Sequence, residues 1–289
     1  MKQSQMSLIR HSFGTAAGLM ATRKIILLPF FIVAAVEAAS VVGLFFLIQD
    51  PLVRFVQPII LRYRDPVFLH YPLCLLLLSQ IFSWLQGGLA VVLGTFMSGV
   101  VIHTSWQAMT REKLSLGEAL RMSVKRYVAL LFISVCVYAF AHGTFAVEHT
   151  MLKGVLKSGS SFLGLGREVW RVIFLMTGIA GAGLAQTIFA FTQTILMIET
   201  PNLAAALARS LKYALRNFPA VIITLLAPLG AYLPVSMLKG GMQGLFERFS
   251  PEIVFVVIGI GIVVGFFINV FITIATTALY VRIKANERA

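Results

Sequence analysis

The chain has 289 residues, of which 58% are hydrophobic and only 12% are charged, and its mean hydropathy is +0.89. A soluble domain is about 45–50% apolar and about 25% charged. The composition therefore excludes a soluble enzyme, a disordered chain, a coiled coil and a disulfide scaffold, and it indicates an integral membrane protein. The net charge of +13 indicates contact with anionic lipid headgroups and no nucleic-acid partner.

Apolar stretches long enough to cross about 30 Å of hydrocarbon predict six transmembrane helices. In chain order these spans are 25–48, 73–108, 127–147, 172–198, 218–238 and 253–281. The first stretch has small residues around Ala38 that would also permit cleavage as a signal peptide, but its apolar core is longer than such a peptide needs. We therefore retain it as a span within a single membrane domain, 1–289.

The stretch 67–109 leaves two topologies open, because it contains no Lys, Arg, Asp or Glu and is too long for one simple crossing. It forms either one long crossing or two crossings that break at Gly87 and Gly88. One crossing places the larger share of the 24 Lys and Arg residues on the cytoplasmic side, and two crossings place the larger share outside. The positive-inside rule therefore favours six spans with both termini in the cytoplasm.

Three cytoplasmic segments are typical of short amphipathic helices that lie at the membrane surface. Residues 1–24 form the first, Ser115-Leu-Gly-Glu118 has the spacing of a capping box that starts the second, and Pro201 suits the first turn of the third. Ala119-Leu-Arg-Met-Ser123 matches Ala206-Leu-Ala-Arg-Ser210, and Leu8-Ile-Arg-His-Ser12 matches more loosely. The matches have two interpretations. Either the chain contains a threefold repeat, in which each unit has one interfacial helix and two spans, or the segments are alike only because basic amphipathic linkers are common before spans.

Basic side chains on the second and third amphipathic segments predict contact with anionic lipid on the cytoplasmic side. These residues are Arg121, Lys125, Arg126, Arg209, Lys212 and Arg216.

Two further segments have patterns that predict irregular structure. Pro219, Pro228 and Pro234 predict a kink or break near the middle of the fifth span. Residues 148–171 are expected to form a polar loop, since Ser and Gly are frequent there.

Glu37 is the most informative single residue, because it lies close to the middle of the first span. An acid at this depth costs about 2.5–3.5 kcal/mol on insertion scales, so it is expected to face protein or water. Its function would be a proton, cation or polar-substrate site, and the alternative is a protonated or paired carboxyl group that packs against another helix. The polar residues expected near it are Gln80, Gln186, Gln193 and Asn269.

The remaining motifs indicate no catalytic centre, no metal site and no cofactor. Cys74 and Cys136 lack the spacing of metal ligands, and His142 and His149 provide too few converging ligands for zinc. Gly259 to Gly265 lies inside a span and lacks the strand that a nucleotide-binding loop requires.

Three short segments carry a resemblance to known membrane proteins. They are Gly94 to Val124, which includes Leu114-Ser-Leu-Gly-Glu-Ala-Leu120, then Thr194 to Pro219, and finally Leu279-Tyr-Val-Arg-Ile-Lys284. In these segments the chain resembles uncharacterised six-span bacterial inner-membrane proteins and the membrane domain that precedes the catalytic domain in some glycerophosphodiester phosphodiesterases. The resemblance implies a bacterial plasma-membrane location, and no catalytic residue of the phosphodiesterases is matched.

We therefore expect an all-α, non-enzymatic membrane protein that takes part in lipid or envelope homeostasis or moves a hydrophobic substrate. The alternative is an accessory or scaffold subunit of a larger membrane complex, bound to another membrane protein or to copies of itself. A closed bundle with an internal polar cavity would favour the first hypothesis. A flat apolar face rich in Gly and Ala would favour the second.

Overall fold

The computed structural model describes residues 5–47, 53–63, 70–110, 112–157, 181, 183, 186–200 and 202–288. Every regular element in this part of the chain is helical. The helices in chain order are α1 (Gln5–Thr22), α2 (Leu28–Leu47), α3 (Val53–Tyr63), α4 (Cys74–Leu89), α5 (Thr95–Thr110), α6 (Leu116–Lys157), α7 (Thr192–Ile198), α8 (Leu203–Arg216), α9 (Phe218–Gly230), α10 (Leu233–Gly240), α11 (Met242–Arg248) and α12 (Ile253–Arg288).

Four helices in the described residues are long and apolar enough to cross a membrane by themselves. They cover Leu28–Leu47, Cys74–Thr110, Leu116–Thr144 and Ile253–Glu287. A fifth crossing is added if α8 and α9, which meet at a bend of 94°, form one broken span. The chain is therefore a membrane-embedded helical protein, in agreement with its composition.

From Cys74 onward, the long stretch that left two topologies open is one continuous helix. The π-helical turn Ala90–Gly94 joins α4 to α5, so that 37 residues run from Cys74 to Thr110 through Gly87 and Gly88 without a break. At 1.5 Å per residue this helix is about 55 Å long.

The predicted break in the fifth span is present. α9 ends at Gly230 and α10 begins at Leu233, next to Pro228 and Pro234. The missing amide hydrogens of these prolines interrupt the helical hydrogen-bond ladder, as the sequence suggested. The prediction of a loop at 148–171 was wrong for 148–157, since α6 continues to Lys157, and 158–171 lies outside the described residues. Extending an existing helix costs much less than nucleating a new one, which accounts for this continuation.

The predicted fourth span, 172–198, is described only at its end. A helical turn at 186–189 precedes α7, and most of 172–185 lies outside the described residues.

α12 is the central element of the bundle. It contributes Leu279 to an apolar cluster with α1, α7 and α9, Val257 to a cluster with α2, α4 and α11, and Ile274 to a cluster with α1, α2 and α5. α1 packs along α12, where the rings of Phe13 and Phe271 meet edge to face at 5.3 Å. Helices on both sides of α12 therefore enclose the interior of the bundle.

Candidate functional site

Glu37 faces the interior of the bundle. Phe30, Val33, Glu37 and Val41 form a stripe at helical spacing along α2 and are all buried, whereas Phe31 on the same helix is 61% exposed. Glu37 is 8% exposed, and its Oε2 accepts a hydrogen bond of 3.2 Å from Nε2 of Gln86. A buried acid in hydrocarbon requires such a partner, because an unpaired polar group there is costly.

Gln86 connects Glu37 to a lysine on another helix. Nζ of Lys239 on α10 donates to Oε1 of Gln86 at 3.2 Å and to the hydroxyl of Tyr232 at 3.1 Å. Gly261 on α12 makes room for this side chain, because a Cβ there would lie 3.1 Å from Cε of Lys239. The polar chain thus runs from α2 through α4 to α10 and crosses over α12.

Glu37 also lines a cavity of about 340 Å³ between α2, the π-helical turn, α6 and α12. Of the four polar residues predicted near it, Gln186, Gln193 and Asn269 line the same cavity. Gln80 does not line it and lies at an exposed position on α4. The other polar residues of the wall are Thr95, Ser98, Ser134, Tyr138, His142 and Thr273.

A second cavity of about 310 Å³ adjoins the first and extends between α5, α6, α9 and α12. Gln186, Gln193 and Asn269 line both cavities, so their three amide groups lie at the junction. Nε2 of Gln193 donates to Oγ of Ser134 at 3.0 Å, which fixes one of these amides against α6. Leu225 and Leu229, on the helix that precedes the break, line the second cavity.

Tyr138 and His142 on α6 provide an aromatic wall for the first cavity. Their rings stack at 3.9 Å with an angle of 30° between the planes. A Cβ on Gly87 would lie 2.9 Å from the Tyr138 hydroxyl, so this glycine permits the tyrosine to pack against α4. The first cavity therefore combines one carboxylate, amide groups, aromatic faces and aliphatic side chains.

Glu199, at the C-terminal end of α7, forms the centre of an ionic network outside the predicted spans. Arg209 donates to Oε2 of Glu199 at 2.9 Å, and Tyr280 and Lys284 of α12 both donate to Oε1. Burial raises the pKa of Glu199, but the hydrogen bonds from Lys284 and Tyr280 and the charge of Lys284 outweigh this effect and lower the pKa below its ordinary value. The network joins α7, α8 and α12.

The six basic residues predicted to contact lipid have different environments. Arg209 pairs with Glu199, and Arg216 pairs with Glu287 at 2.7 Å. Arg121, Lys125 and Lys212 have exposed side chains, and the Arg126 side chain is partly buried.

The turn before α6 contains the predicted cap in a modified form. Oγ of Ser115 accepts a hydrogen bond from the Glu118 amide at 3.3 Å, as a capping box requires. The Glu118 carboxylate instead accepts from the buried Gln107 at 3.1 Å, and Oε1 of Gln107 accepts from the Ser115 amide at 3.2 Å. The turn is thereby tied to the end of α5.

The matched serines of the amphipathic segments are completely buried. Oγ of Ser123 donates to the Phe96 carbonyl at 3.2 Å, and Oγ of Ser210 donates to the Ile188 carbonyl at 2.9 Å. Both serines thus bind the backbone of the preceding apolar segment. Ser12 instead donates to the Ile9 carbonyl within its own helix.

Two residues of the polar chain were not predicted. Gln86 adjoins Gly87 and Gly88, a pair that indicates a possible helix break and gives no sign of a polar site. Lys239 follows the predicted end of the fifth span by one residue. The one sequence signal for Lys239 is its position beside a predicted break in the fifth span, and this signal does not indicate that it reaches Gln86. Among the described residues, no cluster of three or more His, Cys, Asp or Glu side chains could hold a metal ion.

Comparison of the chain with protein-family models, with characterised proteins and with solved structures finds no match.

Proposed function

We propose that this protein is a non-enzymatic membrane protein that binds and moves a hydrophobic or lipid-like substrate through the interior of its helix bundle. The observation that carries the proposal is the pair of adjoining cavities that share Gln186, Gln193 and Asn269. Ligand sites have volumes of about 300–1,000 Å³ and a few polar groups in a mostly apolar wall. The two cavities have this size and this character.

The broken helix supports movement of a substrate rather than simple binding. α9 lines the second cavity through Leu225 and Leu229, and it ends at the break before α10. α10 in turn carries Lys239, which is connected through Gln86 to Glu37 of the first cavity. A displacement at the break would therefore alter the walls of both cavities, and broken helices at substrate sites are a common feature of transporters.

The proposal includes a location in the bacterial inner membrane, with six crossings, both termini in the cytoplasm and a threefold repeat. The basic side chains of α6 and α8 support the orientation. The hydrogen bonds of Ser123 and Ser210 to the preceding segment support a common structural unit for two of the three repeats.

The topology is tested by single cysteines in a variant that lacks Cys74 and Cys136, labelled with a maleimide that does not cross membranes. Arg10→Cys and Lys113→Cys should react only after cells are permeabilised, whereas Ser250→Cys should react in intact cells. Reaction of Lys113→Cys in intact cells would contradict a six-span topology.

The function is tested by native mass spectrometry of the protein extracted from its own membrane. We expect the wild type to retain a lipid or other amphiphile, and Gln193→Met and Asn269→Leu to lose it. Gln80→Met is the matched control, because Gln80 lies outside both cavities, and it should retain the ligand. Equal retention by all variants would contradict the proposal. A stoichiometric protein partner with no bound amphiphile would favour an accessory subunit instead.

A further inference from the structure

The charges around the first cavity are one-sided. Among the described residues that line it, Glu37 is the one carboxylate, and none is Lys or Arg. Inside a bundle, where the effective dielectric constant is far below that of water, a carboxylate interacts much more strongly with a nearby charge than it does in solution. An anionic headgroup in this cavity would therefore meet repulsion, and a cationic headgroup would meet attraction.

The carboxylate of Glu37 has capacity for another donor. Its Oε2 binds Gln86, and Oε1 accepts no hydrogen bond from the described residues. Lys239 does not form a direct ion pair with Glu37, because the amide of Gln86 lies between them and binds both. The carboxyl group of Glu37 is thus oriented by an amide, and it lines the cavity with one oxygen that has no hydrogen-bond donor among the described residues.

The rest of the wall suits an organic cation with a hydrocarbon chain. The ring of Tyr138, stacked on His142, provides an aromatic group in the wall, and a tyrosine ring attracts ammonium groups through its negative quadrupole. The side-chain carbonyls of Gln193 and Asn269 provide neutral acceptors. Phe30 and Val33 contribute apolar surface for an alkyl chain.

From this arrangement we infer that the first cavity binds an amphiphile with a positively charged nitrogen headgroup and discriminates against anionic amphiphiles. The inference depends on the proposed function, since it assigns a chemical class to the substrate of the same cavity. Glu37 is the residue that determines the preference. Tyr138 contributes the aromatic contact.

The experiment measures the binding of four amphiphiles with a twelve-carbon chain to the full-length protein in nanodiscs of a neutral galactolipid, whose headgroup contains no nitrogen and does not compete for the site. The probes are dodecyltrimethylammonium, dodecylphosphocholine, dodecyl maltoside and dodecanoate, and wild type is compared with Glu37→Gln. Partitioning into the bilayer is the same for both proteins, so the difference between them reports binding at the site. Glu252→Gln is the control, because Glu252 is an exposed carboxylate outside the cavity.

We expect Glu37→Gln to bind dodecyltrimethylammonium at least tenfold more weakly than the wild type does, and to bind dodecyl maltoside with the same affinity. Glu252→Gln should bind all four probes as the wild type does. Asn269→Asp adds a second carboxylate and should strengthen binding of the cation, which keeps the test decisive if Glu37→Gln fails to fold. Tight binding of dodecylphosphocholine would identify a lipid headgroup as the source of the cation, and weak binding would identify a soluble cationic compound.

Unchanged cation binding in Glu37→Gln, or dodecanoate binding as tight as that of the cation, would overturn the inference. If dodecyl maltoside still binds in that case, the proposed function stands without the charge preference. If none of the four probes binds the wild type, the proposed function fails as well.

Discussion

Gly261 positions the lysine of the polar chain by having no side chain. A Cβ at this residue would lie 3.1 Å from Cε and 3.3 Å from Nζ of Lys239. Gly261→Ala should displace the lysine from Gln86 and lower the free energy of unfolding by about 1 kcal/mol, the usual value of one hydrogen bond. Thermal unfolding in detergent measures this change.

Gly265→Ala is the matched control, because a Cβ there has no neighbour within 4 Å. In a Lys239→Ala background, Gly261→Ala should lose most of its effect, since a double-mutant cycle isolates the contact between the two residues. Equal effects of Gly261→Ala in both backgrounds would show that the glycine has another role.

Glu199 makes the stability of the protein depend on pH. The pKa of Glu199 in the folded protein is below its ordinary value of about 4.3. Its contribution to the free energy of unfolding is therefore fully present at pH values above about 4.3, and it is lost as the pH falls through the folded pKa. Glu199→Gln should therefore lower the unfolding free energy at pH 7 by about 1–3 kcal/mol, and the difference from wild type should shrink below about pH 4. Thermal unfolding at a series of pH values measures both effects.

Glu287→Gln provides the comparison, because Arg216 and Glu287 are 58% and 29% exposed and form a solvent-screened pair. Its effect should stay below about 1 kcal/mol. If Glu287→Gln has the same effect and pH dependence as Glu199→Gln, the Glu199 network contributes no more to the free energy of unfolding than the exposed Arg216–Glu287 pair does.

At the scale of helices, the contact between α5 and α6 depends on Gly99. A Cβ there would lie 2.4 Å from Oγ of Ser123 and 3.0 Å from Cδ1 of Leu130, so neither side chain could keep its position. Gly99→Ala should lower the unfolding free energy by about 1–3 kcal/mol, as overpacking usually does. Gly88→Ala, with no neighbour within 4 Å, should have little effect, and Ser123→Ala should partly restore Gly99→Ala.

Local sequence patterns predicted several helix boundaries because the interactions that set them are local. Ser115 and Glu118 are three residues apart, and Pro228 and Pro234 remove their own amide hydrogens. The role of Gln107 could not be predicted in this way. Its hydrogen bonds cross a turn, and the sequence does not specify the path of that turn.

For the whole molecule, the depth of Glu37 in an apolar stretch was sufficient to predict that it faces inward. The convergence of Gln186, Gln193 and Asn269 on the same cavity depends on how α7, with the helical turn before it, and α12 pack, which periodicity alone does not determine. Lys239 was missed for a related reason. It reaches Gln86 only because the chain breaks between α9 and α10 and because Gly261 leaves space.

The cytoplasmic surface should bind anionic lipid mainly through the basic side chains that have no acidic partner in the described structure. Arg121→Gln should reduce the enrichment of phosphatidylglycerol around the protein in mixed bilayers, since each surface cation contributes about 1 kcal/mol. Arg209→Gln should have a smaller effect, because Arg209 already pairs with Glu199. Spin-labelled lipids measure the enrichment, and equal effects of both changes would contradict this assignment.

The π-helical turn Ala90–Gly94 has a consequence for changes in chain length. A π-turn contains one residue more than an α-helical turn, and each residue rotates an α-helix by about 100°. Deleting one residue within 90–94 would therefore convert the π-turn into an α-turn and leave Gly99 and Gln107 facing α6, with Gln86 still beside Glu37. We expect one deletion within 90–94 to be tolerated for this reason. A deletion between Gly99 and Gln107, where the helix has no extra residue to absorb it, should rotate Gln107 by about 100° and break its hydrogen bonds to Glu118 and Ser115.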